Sequence, residues 1–202
     1  MVNNPYHCGM WLDHLILFLG WLLFYGIHSA LATEKAKNAL PIGPRAYRIL
    51  YNLISFIFFL GLMLLGALIY NVLLFAPSPF STYTGLMFAA AGLFIIKRAF
   101  RNYSLSAFLG FKKNLNEDLK TEGIQAYVRH PLYTGTLLLV IGYVLFNPQL
   151  SSLVILLALC IYLPFGIRWE EQKLIKMYGE AYLEYKKNVP ALFPPIKLKR
   201  SA

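Results

Sequence analysis

Residues 127–135 read YVRHPLYTG, and much further along the chain Glu170 and Glu171 stand side by side. Proline suits the first turn of a helix, where its missing N–H costs nothing and its φ is already helical, so a helix is expected to begin at Pro131 with His130 at its cap. The free amides and positive dipole end of such a start, joined by Arg129, suit a carboxylate or phosphate. Two adjacent carboxylates suit a cation, or an ion pair with Arg129 or Arg168. Brought together with the aromatic Tyr133 between them, these groups would fit a zwitterionic ligand that also carries a flat ring. Gly135, on the next turn, lets another chain or a flat ligand approach the backbone closely. The plainer alternatives are an arginine that anchors a helix end to lipid phosphates and a glutamate that simply pairs with it.

The elements that must position these residues are apolar. Of 202 residues 58% are hydrophobic and 14% charged, with a positive mean hydropathy, a balance that points to an integral membrane protein. A membrane-crossing helix needs about 20 mostly apolar residues. Five windows qualify: Met10 to Ala32, Tyr47 to Phe75, Thr84 to Ile96 extending towards Phe100, Leu132 to Phe146, and Leu150 to Ile167. The fold expected is therefore all-α, with five transmembrane helices in a single domain covering residues 1–202. Residues 1–97 form a three-helix part, and residues 98–195 carry the candidate site and the last helical hairpin.

Charge sets the orientation, because short loops rich in Lys and Arg stay in the cytoplasm. No Lys or Arg precedes Lys35, and the connections APSPFSTY and NPQ have none. In a five-span arrangement all 19 basic residues fall on one face, which puts the amino terminus outside and the carboxyl terminus in the cytoplasm, as expected for a bacterial inner membrane. The net charge of +10 then reads as topology and contact with anionic lipid, not as a nucleic-acid surface. The first apolar segment is too long for a signal peptide and lacks a basic stretch before it, so it reads as a retained span. Cys8 and Cys160 offer no disulfide framework, and His7, Cys8, Asp13 and His14 match no familiar metal-ligand spacing; no metal is expected. Trp11, Trp21 and Trp169 read as interface anchors or packing residues.

The Asn147-Pro148-Gln149 turn makes the fourth and fifth spans antiparallel neighbours, so the start of the fourth lies beside the end of the fifth, and Arg129 beside Glu170 and Glu171. Residues 101–129 mix aromatics with charges. Residues 169–189 space Leu174, Tyr178, Tyr182 and Tyr185 by three and four, which predicts one cytoplasmic amphipathic helix. Such a helix lies on lipid headgroups or closes over a pocket.

The pattern Arg129-His130-Pro131-x-Tyr133-x-Gly135, a hairpin, Glu170-Glu171-x-x-Leu174, Tyr178-Gly179-x-x-Tyr182-x-x-Tyr185 and Val189-Pro190 resembles the isoprenylcysteine carboxyl methyltransferase and phospholipid methyltransferase superfamily over residues 98–195. Upstream, His28-Ser29-Ala30-Leu31-Ala32, Lys35, Lys37 and Tyr47-Arg48-x-Leu50-Tyr51-Asn52 are similar to its bacterial branch of NnrU-like and methanethiol S-methyltransferase proteins. The resemblance implies a membrane methyltransferase that uses S-adenosylmethionine on the cytoplasmic side. Gly123, Tyr127, His130, Pro131, Tyr133, Gly135 and Tyr182 would line the cofactor pocket, and Glu170 and Glu171 would face its charged methionine end. Arg129 and a glutamate would be the costliest losses. Where the superfamily often has Gly-x-Tyr, this chain has Gly123-Ile124-Gln125, and Tyr127 is the aromatic that can replace the missing one.

The acceptor implied is lipophilic or a small thiol: a thiol, a prenylcysteine carboxylate or a phospholipid amine, entering from the membrane between spans. A carboxylate needs no base, whereas a thiol of pKa about 8.5 would profit from one, with His130 and a glutamate both eligible. His28 is placed near the cytoplasmic end of the first span, either at the site's mouth or as an interfacial structural residue. Two other functions compete. One is a non-catalytic accessory protein of the same fold that binds lipid or a haem-related ligand. The other is a membrane reductase, disfavoured by the chain's length and the lack of a Gly-rich dinucleotide fingerprint.

Overall fold

The computed structural model describes residues 5–101 and 118–194, apart from the side chains of residues 5–8 and 34. His7, Cys8 and most of the aromatic and charged stretch 101–129 therefore lie outside what is described below. Among the described residues the chain is all-α: α1 (Pro5–Leu31), a short α2 (Glu34–Asn38), α3 (Pro44–Leu68), α4 (Pro79–Ala99), a 3-10 turn (Gly123–Ala126), α5 (Pro131–Phe146), α6 (Leu150–Tyr178) and α7 (Glu180–Asn188). α1, α3, α4 and α5 each open on proline, as a residue with no N–H to lose permits.

Four helices, α1, α3, α4 and α6, are long and apolar enough to cross a membrane. α5 is apolar but has 16 residues; at 1.5 Å per residue it rises about 24 Å, less than a hydrocarbon core of about 30 Å.

The helix ends differ from the apolar windows because capping, not hydrophobicity, sets them. α3 stops at Leu68 although apolar residues run on to Phe75. The Asn71 amide donates to the carbonyls of Gly66 and Ile69 at 2.9 and 3.2 Å, taking over acceptors that a longer helix would have used. The chain then runs extended and pairs with the other outer turn: Leu74 N–H donates to Pro148 at 2.8 Å and Leu150 N–H to Val72 at 2.9 Å. α4 begins at Pro79, ahead of Thr84, because Ser78 and Ser81 form a reciprocal capping box. The single amphipathic helix expected over 169–189 is two helices. α6 continues unbroken past Ile167 to Tyr178, Gly179 turns the chain with φ of +58°, and α7 follows. Only glycine adopts that conformation without strain.

α6 is the central helix. It meets α1, α3 and α5, while α4 is held mainly by α5. Leu17 and Trp21 of α1, Leu62 of α3, and Val154, Ile155 and Ala158 of α6 form the main core. α4 and α5 approach backbone to backbone. A Cβ on Gly92 would come within 2.5 Å of the Gly135 carbonyl oxygen, and one on Gly142 within 2.5 Å of that of Gly85. Small residues that let helices touch in this way are a device of membrane bundles, where lipid is as apolar as leucine.

Candidate functional site

The site forms where α5 starts, α6 ends and α7 folds back. Its centre is Glu171, 5% exposed. Oε1 accepts from Arg129 Nη2 at 2.6 Å and Arg129 Nε at 3.0 Å and lies 3.3 Å from His130 Nε2. Oε2 is 2.6 Å from Lys186 Nζ. A buried carboxylate with this many donors meets its desolvation cost through charge-assisted hydrogen bonds. Lys186 reaches it because Gly179 reverses the chain, a partner that the notion of one straight helix over 169–189 had hidden.

Arg129 has four of its five N–H donors engaged. Its Nη1 donates to the carbonyls of Lys186, at 3.1 Å, and Val189, which lie at the carboxyl end of α7, where a cation complements the helix dipole. Of the roles open to it in sequence, ion pairing with a glutamate is the one the geometry realises. The expected anion site at the start of α5 is also partly filled. Arg129 N–H donates to Pro190 at 2.9 Å and His130 N–H to Ala191 at 3.0 Å, and the Thr134 hydroxyl donates to Leu192 at 2.7 Å. Residues 189–192 thus form a strap along the helix start.

The second glutamate is in a different situation. The Glu170 side chain is 46% exposed, and its Oε2 is 3.5 Å from His130 Nδ1. The His130 ring, buried, stacks on Tyr133 with centroids 5.6 Å apart. Tyr133 lies within electrostatic reach of Glu170 and Tyr162. His130 therefore bridges a locked carboxylate and an open one.

Pro131, buried, fixes the turn that holds these side chains. Tyr182 is 1% exposed and packs edge-on against Tyr185. Its ionisation is pushed up by burial and then by the Glu171 charge, with Arg129 opposing. Tyr185 donates to the Gln125 carbonyl at 2.6 Å, which ties α7 to the 3-10 turn. Gln125 is 1% exposed, so the position that departs from the superfamily pattern is internal, and Tyr127, 64% exposed, stands outside. Gly123 (φ +65°) and Tyr127 line an open cavity of about 330 Å³ with Arg98, Ile124 and Ala126. Gly135 belongs to the α4–α5 contact, against Gly92 and Ile96. His28 turns towards α3, its Nδ1 2.9 Å from the Ser55 hydroxyl. Among the described residues no group of three or more His, Cys, Asp or Glu side chains is arranged to hold a metal ion.

A family model described as NnrU protein matches residues 16–193. Among curated proteins, the chain is 36% identical over 94 residues to the protein-S-isoprenylcysteine O-methyltransferase of Schizosaccharomyces pombe, covering 46% of this chain and 40% of that protein. It is 36% identical over 80 residues to the methanethiol S-methyltransferase of Crocosphaera subtropica, covering 40% of this chain and 31% of that protein. To the cobalt-zinc-cadmium resistance protein CzcN of Cupriavidus metallidurans it is 35% identical over 86 residues, covering 42% and 39%. The match thus spans less than half the length of each of these relatives. No solved structure matches.

Proposed function

Because the chain belongs to the NnrU protein family, and its carboxylates are divided between a locked and an open one, we propose that it is an integral membrane methyltransferase that uses S-adenosylmethionine. One observation carries the reading. Arg129, His130 and Lys186 pin Glu171, and Glu170 is left half-exposed beside an aromatic stack. The donor set fits the cofactor's charges. Glu170 would hold the methionine ammonium, the faces of His130 and Tyr133 suit the sulfonium, and Arg98 with the backbone around Gly123 suits an anion. Tyr127 offers an exposed ring for stacking. Pro131, Gly135 and Tyr182 would act by shaping the wall, and Arg129 and Glu171 by holding it in place.

When bound, S-adenosylmethionine supplies an electrophilic methyl group for in-line transfer. The chain's contribution is alignment and the exclusion of water. If the acceptor is a thiol, His130 or a glutamate would take its proton; a carboxylate acceptor requires none. The names of the relatives support an acceptor that is a prenylcysteine carboxylate or a small thiol, and such acceptors partition into a bilayer. The topology proposed is five spans, with α5 as the short fourth and the site on the cytoplasmic face of a bacterial inner membrane. In its support, all 19 basic residues then share one face, and the two uncharged turns lie together.

Calorimetry on the detergent-purified full chain tests the reading. S-adenosylmethionine and S-adenosylhomocysteine should both bind, and Glu170→Gln should weaken both at least about tenfold, the scale of one lost charge-assisted hydrogen bond. Unchanged affinity would remove the site assignment. Binding without transfer of labelled methyl to any thiol, prenylcysteine or amino phospholipid would favour an accessory protein.

A further inference from the structure

His130 sits between the two carboxylates with a ring nitrogen towards each. Its Nε2 is 3.3 Å from Glu171 Oε1 and its Nδ1 is 3.5 Å from Glu170 Oε2. Glu171 is held by Arg129 and Lys186 at 2.6 Å each, so it is ionised and only accepts, and Nε2 must carry a proton. The ring is then neutral while Nδ1 is bare and becomes a cation when Nδ1 takes a second proton. That difference governs what else the site can hold. With His130 neutral, the carboxylates of Glu170 and Glu171 balance Arg129 and Lys186, and every further positive charge is excess. The His130 side chain is 2% exposed, so solvent screens little of such a charge. His130 also caps the start of α5, where the helix dipole disfavours a cation. Tyr133, stacked on the ring, adds no charge near neutral pH.

We infer that His130 is a specificity-determining residue: its neutral ring admits the sulfonium of S-adenosylmethionine, and its protonated ring excludes that sulfonium while still admitting the uncharged thioether of S-adenosylhomocysteine. A cation is attracted to the face of a neutral ring, whereas two cations in a site of low effective dielectric repel. The two molecules share a carboxylate, an ammonium and an adenine, so whatever the other residues of the site do for those groups cancels in a comparison between them. The inference rests on the reading of this site as the one that binds the cofactor.

The test is the affinity of both molecules for the purified full-length protein, read by calorimetry at about pH 7.5 and about pH 5.5, which bracket the usual range of histidine titration. On acidification S-adenosylmethionine should lose affinity relative to S-adenosylhomocysteine by at least about fivefold, the limit for one exclusive proton being about tenfold per pH unit. His130→Gln, which keeps an N–H for Glu171 but carries no charge, should hold the ratio constant across the same range. Glu170→Gln removes the anionic partner of Nδ1 and should move the fall in the ratio to lower pH, a check that leaves the buried ring in place. A ratio that does not change with pH in the unaltered protein, or a fall that survives His130→Gln or is unmoved by Glu170→Gln, would overturn the inference and leave the methyltransferase reading standing. If the unaltered protein binds neither molecule at either pH, that reading fails and the inference falls with it.

Discussion

Two neighbouring glutamates, identical in chemistry, should respond very unequally to the same substitution. In Glu171→Gln the charge is removed from a carboxylate that faces Arg129 at 2.6 Å and Lys186 at 2.6 Å. The Arg129 and Glu171 side chains are 9% and 7% exposed, so the loss falls in the range for breaking a buried pair, about 3–5 kcal/mol. The amide oxygen still accepts one hydrogen bond, Arg129 keeps two backbone carbonyls, and the half-exposed Lys186 regains water, so a cost of about 2–3 kcal/mol is expected. At about 2–4 °C per kcal/mol for a chain of this size, the melting temperature should fall by roughly 5–10 °C. Glu170→Gln, at a 46% exposed side chain, should stay within about 0.5 kcal/mol, or 1–2 °C on the same scale. Thermal unfolding in detergent, followed by tryptophan fluorescence, reads both. Equal shifts, or a larger one at Glu170, would refute the division into a locked and an open carboxylate.

Gly92→Leu should prevent α4 and α5 from docking and leave little folded protein on size exclusion, since even a Cβ there meets the Gly135 carbonyl oxygen at 2.5 Å, whereas Gly26→Ala, with nothing within 4 Å, should be neutral. Asn71→Ala should cost about 2 kcal/mol in the same melting assay, because the side chain donates to Gly66 and Ile69 and accepts from Ser151 N–H at 3.0 Å. In a variant lacking native cysteines, Ala76→Cys and Lys187→Cys should react with an impermeant maleimide from opposite sides of the membrane if α5 crosses it; labelling from one side would reduce the crossing helices to four.

Apolar windows located the long helices because a buried or lipid-facing helix must be apolar for most of its length. They misjudged the ends, which polar groups decide: Asn71 halts α3 inside an apolar run, and the Ser78–Ser81 box starts α4 ahead of one. The juxtaposition of Arg129 with the glutamates was legible because a three-residue turn leaves two helices little choice but to lie antiparallel. Which glutamate Arg129 would choose was not legible, since adjacent carboxylates are equivalent until a helix face is assigned. Lys186 was hidden behind the φ of Gly179, a conformation that a glycine permits but does not announce.

The charges at the start of α5 are better understood through what they orient than through what they stabilise. A buried ion pair roughly breaks even against apolar packing of the same volume, so Arg129 and Glu171 add little that leucine and methionine could not. Apolar contacts, however, tolerate sliding and rotation, while donors and acceptors of fixed direction do not. Arg129 joins α5 to Glu171 on α6 and to the carbonyls of Lys186 and Val189 on and beyond α7, and the strap of residues 190–192 adds three backbone acceptors. With Glu171 held inward, the residue before it on the helix is turned away by about 100°, one part in 3.6 of a turn. That rotation brings Glu170 to the side where His130 Nδ1 and Tyr133 lie and where its carboxylate stays half-exposed. Fixing one glutamate is thus what makes the other available, and the two cannot be exchanged by moving a charge one position along the chain.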